Sequence, residues 1–218
     1  IKKSKAKFFA GYNRPYSPAI KEIGKKIKSK KNNNGTFSIN CFITAHDIPE
    51  THWYRNPEEG TRVCGNVGHW LDLMIHMYNW RGYIPQAFTI QIAYSNIDEP
   101  DDNIAISLTT PEGDITSIMI TARSEPFEGI NETINFQYDT IIAKIDDFRK
   151  LTIWDVEELC TKKYRPKDVG HKRSILQPFK KDNRDLNEVI ASTELMLNIT
   201  KMVRNRVTEQ KIGLTRSL

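Results

Sequence analysis

From Thr36 to Ala45 apolar and polar residues alternate without a break, with Phe37, Ile39, Cys41 and Ile43 on one side and Ser38, Asn40 and Thr44 on the other. A repeat of two is the mark of a strand that buries one face. The alternation returns at Phe88, Ile90, Ile92 and Tyr94; at Ile104, Ile106 and Leu108; at Ile118 and Ile120; at Ile134, Phe136 and Tyr138; and around Ile141 to Ile145 and Leu151 to Ile153. Turns such as Pro111-Glu112-Gly113-Asp114 separate several of these runs, so hairpins and an antiparallel sheet are the natural assembly. The expected fold class is therefore α+β, a largely antiparallel open-faced sheet with helices packed on one face.

Helical periodicity occupies the rest. Lys7-Phe8-Phe9-Ala10-Gly11 reads as the tail of a strand, and Pro15 and Pro18 hold residues 12–18 in a loop. Ser17 stands at an N-cap with Pro18 at the first helical position, opening a helix that turns Ile20, Ile23 and Ile27 inward and stops near Lys30. Its lysines (21, 25, 26, 28, 30 and 31) and the loop Asn32-Asn33-Asn34-Gly35 read as a solvated face and a flexible turn. A long helix from about Arg184 to Val207 is expected to bury Val189, Thr193, Met196, Leu197, Thr200, Val203 and Val207. Trp80 and Trp154 read as core anchors.

A further helix, starting near Gly65, carries chemistry. Val67, Trp70, Leu71, Met74 and Tyr78 share one face, while His69, Asp72 and His76 gather on the other. Three readings of that second face stand side by side: a solvated polar stripe, a metal site without a recognised zinc spacing, and a general acid/base histidine oriented by its neighbours, since an imidazole near pKa 6.5 suits proton transfer at neutral pH. The loop before it, from His52 to Gly60, is rich in aromatic and polar residues.

Composition removes several classes. With 218 residues, 39% apolar and 27% charged, the chain can bury a sizeable core. The net charge of +5 is not accompanied by aromatics interleaved with the basic residues, so no nucleic-acid partner is expected. No run of 18 apolar residues suggests a membrane span, and no signal peptide precedes the first strand. Cys41, Cys64 and Cys160 are odd in number and widely spaced, which fits a reduced, cytoplasmic protein. The glycosylation patterns at Asn131 and Asn198 read as chance. His46 and Asp47 end a strand and fit a turn as well as a cleft. Beginning at Ile1, the chain is expected to be a piece of a longer protein.

Four segments, Gly11-Tyr12-Asn13-Arg14-Pro15-Tyr16-Ser17-Pro18, His52-Trp53-Tyr54-Arg55-Asn56-Pro57-Glu58-Glu59-Gly60, Gly65-Asn66-Val67-Gly68-His69-Trp70-Leu71-Asp72 and Lys167-Asp168-Val169-Gly170-His171-Lys172, follow one another in a telling order. In these the chain resembles the C-terminal domain of the glucose-fructose oxidoreductase / inositol dehydrogenase / rhizopine catabolism family, over nearly all its length. The resemblance implies that residues 1–218 form a single substrate-binding and oligomerisation domain, with 1–18 as the junction to a separate dinucleotide-binding Rossmann domain. It implies a parent enzyme that oxidises or reduces a sugar, sugar derivative or cyclitol with NAD or NADP, working as a homo-oligomer through the open sheet.

By the same resemblance His69 is the catalytic base, Asn13 and Arg14 lie where substrate meets cofactor, with Arg14 touching both, and His52, Trp53, Arg55, Asn66 and Asp72 complete the substrate shell. Glu58 and Glu59 stand in the turn behind, His171 serves loop structure, and no metal is expected. The sequence has no GxGxxG fingerprint and no Glu-Lys-Pro motif, so the piece alone is expected to bind no dinucleotide and turn nothing over. It departs from the family's pattern beside His69: where many members have an aspartate four residues earlier or a glutamate three earlier, this chain has Gly65 and Asn66. An amide cannot stabilise imidazolium as a carboxylate would. The alternative is thus a sugar-binding or assembly module that has lost its chemistry.

Overall fold

The computed structural model describes residues 8–30, 35–56, 58, 60–95, 99, 101–124, 126–156, 158–180 and 184–215. Lys7 of the expected strand tail, Lys31 and the asparagines 32–34 of the Asn-rich turn, and Pro57 and Glu59 of the aromatic loop lie outside them. Phe8 to Asn13, expected to include the end of that strand, run as irregular chain.

Among the described residues nine strands form one sheet: β1 (Phe37–Thr44), β2 (Ala87–Tyr94), β3 (Ile104–Thr109), β4 (Ile115–Thr121), β5 (Asn131–Tyr138), β6 (Ile141–Asp146), β7 (Lys150–Asp155), β8 (Glu158–Lys163) and β9 (Glu209–Gly213). Their order is β8-β7-β6-β5-β1-β4-β3-β2-β9. Every pairing is antiparallel except the central one, where β1 runs parallel to β4 with Cys41 opposite Ile118. The α+β expectation holds. β8 and β9 escape the sequence pattern because both are edge strands exposed along nearly their whole length, so no apolar alternation marks them.

Four α-helices accompany the sheet: α1 (Pro18–Lys28), α2 (Gly68–Tyr78), the short α3 (His171–Ile175) and α4 (Leu186–Arg204). α1 buries Ile20, Ile23 and Ile27 as its spacing requires. Ser17 is its N-cap residue, but its hydroxyl makes no capping bond; it donates instead to the Asp168 carbonyl at 2.8 Å. The other sheet face is left open, with Phe42, Ile115, Met119, Ile142 and Trp154 exposed. Trp154, expected in the core, is thus 41% exposed there, while Trp80 is buried.

α2 differs most from its sequence reading. Its polar side is not solvated, because α4 lies along it. The Asp72 carboxylate accepts from Arg184 Nη1 at 2.6 Å and Nη2 at 3.0 Å, with Ser192 Oγ at 3.4 Å. Arg184 also donates to Glu188 at 2.8 Å, Glu188 meets His76 Nδ1 at 3.0 Å, and Asn79 donates to its second oxygen at 2.8 Å. This buried polar seam also corrects the α4 stripe. The helix turns Glu188, Ala191, Ser192, Leu195, Ile199 and Met202 inward along with the expected Val189, Thr200 and Val203, leaving Leu197 and Val207 exposed.

The buried Asp72–Arg184 ion pair, at the start of α4, and the His76–Glu188 hydrogen bond therefore hold α2 against α4, and a buried pair that loses one partner leaves an uncompensated charge costing about 3–5 kcal/mol. Replacing Arg184 by Met, which keeps the length but removes the charge opposite Asp72, is expected to lower unfolding stability by about that amount. Urea unfolding measures it; an unchanged midpoint would show that the seam contributes nothing.

Candidate active site

Three segments distant in sequence converge on His69. The loop 12–17 crosses the start of α2, where the Tyr12 ring meets the His69 imidazole edge-on at 5.4 Å. The Arg14 guanidinium lies 4.3 Å over the Trp70 ring and forms an ion pair with Glu132 of β5. Asn13 Nδ2 donates to the Val169 carbonyl at 2.7 Å. The third segment, 167–171, is locked onto this loop by Gly170, whose φ of 92° is in the left-handed region and where a β-carbon would overlap the Asn13 carbonyl oxygen and come within 2.7 Å of the Ser17 nitrogen. Lys167 donates to the Ile130 carbonyl at 2.7 Å, pairs with Asp147 and stands 3.8 Å from Glu132.

Before α2 the chain makes one π-helical turn, Val63–Val67, an interruption that is often found at functional sites. Above it sits the aromatic loop. His52 Nδ1 accepts from the Tyr54 backbone N–H at 3.1 Å, and Trp53 meets Tyr54 edge-on at 4.2 Å between centroids. Trp53 is 49% exposed, an aromatic face turned outward. The loop is clamped from below: Asp102 accepts from Arg55 at 3.0 and 2.7 Å and from Arg62 Nε at 2.7 Å. Arg62 also donates to the His46 carbonyl at 3.0 Å and to the Asn66 amide oxygen at 3.4 Å.

The expected site residues thus divide. His69, Arg14 and Asn13 are brought together; His52 and Trp53 form the aromatic loop near the preceding turn. Asp72 is a correction: it is fully buried with both oxygens held by Arg184 and Ser192, so it has no free face for a ligand. Arg55 likewise spends its fork on Asp102 and its remaining reach on the Ile48 carbonyl, a loop clamp. Asn66 is half-buried beside Arg62. Glu132, Arg62 and Asp102 were missed, since a lone acid in a strand or an Arg before a helix reads as surface; no signal in the sequence separates them from solvated charges. The metal reading loses Asp72 and His76 to α4, and among the described residues no cluster of three or more potential ligands is present.

His69 itself is largely removed from water. Burial, then the positive charge of Arg14 and the proximity of His171, push its pKa down to about 3. Among the described residues its buried Nδ1 has no hydrogen-bond partner. The imidazole is therefore neutral at pH 7, a proton acceptor rather than a cation.

No protein-family model and no curated protein matches the sequence. Solved structures do. A levoglucosan dehydrogenase in complex with NADH superposes with a TM-score of 0.70 at 10% identity, covering 100% of this chain and 68% of its own. A protein described as a myo-inositol dehydrogenase from Sinorhizobium meliloti 1021 gives 0.66 at 16% identity, covering 97% and 66%. An oxidoreductase domain protein from Kribbella flavida gives 0.67 at 11% identity, covering 94% and 65%. The fold is one that these oxidoreductases contain. This chain spans about two thirds of their length, so the oxidoreductase fold seen here corresponds to one part of each. At these identities the likeness concerns architecture, in which the open sheet and the helices on its other face recur.

A histidine kept neutral by the fold has a defined effect on stability. Its folded pKa of about 3 lies below the ordinary 6.5, so between these values the unfolded chain binds the extra proton and stability rises with pH. Acidification from pH 6.5 toward 3 is expected to destabilise the protein, and His69→Gln to flatten that part of the curve. Thermal midpoints of both proteins across this range test it; parallel curves would refute the burial of a neutral imidazole.

Proposed function

We propose that this chain is the substrate-binding domain of an NAD(P)-dependent oxidoreductase acting on a sugar, sugar derivative or cyclitol, with His69 as the base. The observation that carries the reading is the neutral His69 imidazole, set on the first turn of α2 between the loop 12–17 and the segment 167–171 in an oxidoreductase fold. A base must be unprotonated to accept, and this one is, although a pKa of about 3 makes it a weaker acceptor than an imidazole poised near neutrality.

In that role His69 takes the hydroxyl proton of a carbinol as its carbon gives up hydride. When bound, a nicotinamide supplies the hydride acceptor. The chain's own residues offer no glycine-rich phosphate loop, so the dinucleotide would be held chiefly by the part of the parent outside this domain. Arg14, expected to reach the cofactor, is neutralised by Glu132 and stacked on Trp70, which suits it to shape the pocket wall more than to bind phosphate. Exposed Trp53 offers a flat apolar face of the kind that packs against the C–H face of a sugar ring.

A second reading, a binding module without chemistry, draws on Gly65 and Asn66: among the described residues no carboxylate orients His69, and its Nδ1 has no partner. One assay separates the two. The full-length protein, offered NAD or NADP with a panel that includes myo-inositol and levoglucosan, is expected to change nicotinamide absorbance with at least one sugar or cyclitol. His69→Ala is expected to remove that turnover while leaving the thermal midpoint close to wild type. Binding without any absorbance change across the panel would favour the module.

The open sheet face supports the oligomer reading, since Phe42, Ile115, Met119, Ile142 and Trp154 leave it apolar for a second copy to cover. Light scattering is expected to give an oligomer for the wild type and a smaller species for Met119→Lys/Trp154→Lys; a wild-type monomer would sink the idea.

A further inference from the structure

Gly65 stands four residues before His69 and carries no side chain, yet the space beside it is occupied. A β-carbon built on Gly65 would overlap both Cζ and Oη of Tyr54. The phenol end of Tyr54 therefore fills the volume in which a side chain at position 65 would begin, and glycine is the residue that admits it. Gly65 belongs to the π-helical turn that runs directly into the first turn of α2, where His69 stands, so the Tyr54 hydroxyl borders the segment that carries His69.

Tyr54 is also held there. Its backbone N–H is fixed by His52 Nδ1, its ring by Trp53, and the following residue, Arg55, by both oxygens of Asp102. Among the described residues its hydroxyl has no hydrogen-bond partner, and it is not sealed away from solvent. A hydroxyl positioned by several contacts and open to solvent can exchange water for a ligand oxygen. Burial, opposed by Arg62 and aided by Cys64, raises the phenol pKa above its ordinary value, so the group keeps its proton at neutral pH and acts as a donor. His69 beside it is an acceptor. A donor and an acceptor on one wall match the oxygen of a carbinol being oxidised.

We propose that Tyr54, whose phenol occupies the space that the absent side chain of Gly65 leaves, is a further catalytic residue of this site, donating a hydrogen bond to the reacting oxygen of the substrate. The proposal rests on the reading of His69 as the base. In the oxidation direction the substrate O–H bond breaks and its proton passes to the His69 imidazole. The C–H bond breaks with its electron pair leaving as hydride to the oxidised nicotinamide, and C=O forms. Tyr54 keeps its proton throughout, and its hydrogen bond strengthens while negative charge builds on the oxygen, the arrangement in which a preorganised donor is most effective. Where relatives are expected to place a carboxylate beside the histidine, this chain supplies a hydroxyl from the neighbouring loop.

Tyr54→Phe keeps the ring and removes only the donor. In the full-length protein, with myo-inositol and levoglucosan as probes, it is expected to lower kcat by about 100-fold with KM little changed and the thermal midpoint retained, as loss of one such donor does elsewhere. Tyr54→Ala/Gly65→Asp, which returns a carboxylate to the vacated space, is expected to recover at least about tenfold over Tyr54→Ala alone, with a new acidic limb in its pH profile. Tyr54→Phe with kcat within roughly twofold of wild type, while His69→Ala is inactive, would overturn the proposal and leave Tyr54 a space-filler. Wild-type turnover in His69→Ala would overturn the underlying reading instead.

Discussion

The contact between Asp72 and Arg184 fixes where α2 lies, and α2 fixes everything else in the site. A carboxylate with no exposed surface and a guanidinium almost as deeply buried are tolerable only together. Their pairing sets the rotation of α2 about its axis, since Asp72 must face α4. With that angle set, His69 and the π-helical turn before it are directed toward the loops 12–17 and 52–55. Glu188 extends the seam to His76 and Asn79. Burial opposes its ionisation, but the His76 hydrogen bond and charge and the Arg184 charge bring its pKa to about 2, so Glu188 stays charged well into the acid range, whereas burial pushes the Asp72 carboxyl above its ordinary value against the opposing pull of Arg184.

Around His69 the charged groups are arranged to keep positive charge near the imidazole without placing an anion directly on it. Arg14 is held by Glu132, which Lys167 also approaches, and Lys167 is anchored by Asp147. This chain of alternating charges ties the loop 12–17, the sheet and the segment 167–171 into one body. Its effect on His69 is to reinforce burial in disfavouring imidazolium. The carboxylate missing at positions 65 and 66 and the depressed histidine pKa are two sides of one arrangement, an imidazole kept neutral by described surroundings that offer no counter-ion.

The strands were legible because each had one face in the core: Phe37, Ile39, Cys41 and Ile43 alternate in sequence as they do in burial. α1 was legible for the same reason. β8 and β9 were not, since an exposed edge strand leaves no apolar rhythm to read. α4 misled because Glu188 and Ser192 look like surface residues and are buried against Asp72, so the true inward face contains polar atoms that no hydropathy pattern would choose. That loop 12–17 meets the start of α2, with Arg14 over Trp70 and Tyr12 against His69, was legible only through the resemblance, which put Arg14 and His69 in one site. The roles of Asp72 and Arg55 were not legible, because a charged residue's partner lies far away in sequence, at Arg184 and at Asp102. The closeness of Tyr54 to Gly65 is invisible for a related reason: it depends on a loop folding back over a turn.

The lone parallel pairing at the middle of the sheet bears on how the chain comes together. The hairpins β2–β3, β3–β4, β5–β6, β6–β7 and β7–β8 join neighbours in sequence and can close as soon as their residues meet. β1 has no such neighbour: its partners come after α2 and two further strands for β4, three for β5. Made first, it must wait, and the sheet forms as two separate ribbons that only its insertion unites. Non-local closures of this sort slow folding. The strand that joins the ribbons also packs under α2, so the wall carrying His69 stands on the one strand that both halves of the sheet share.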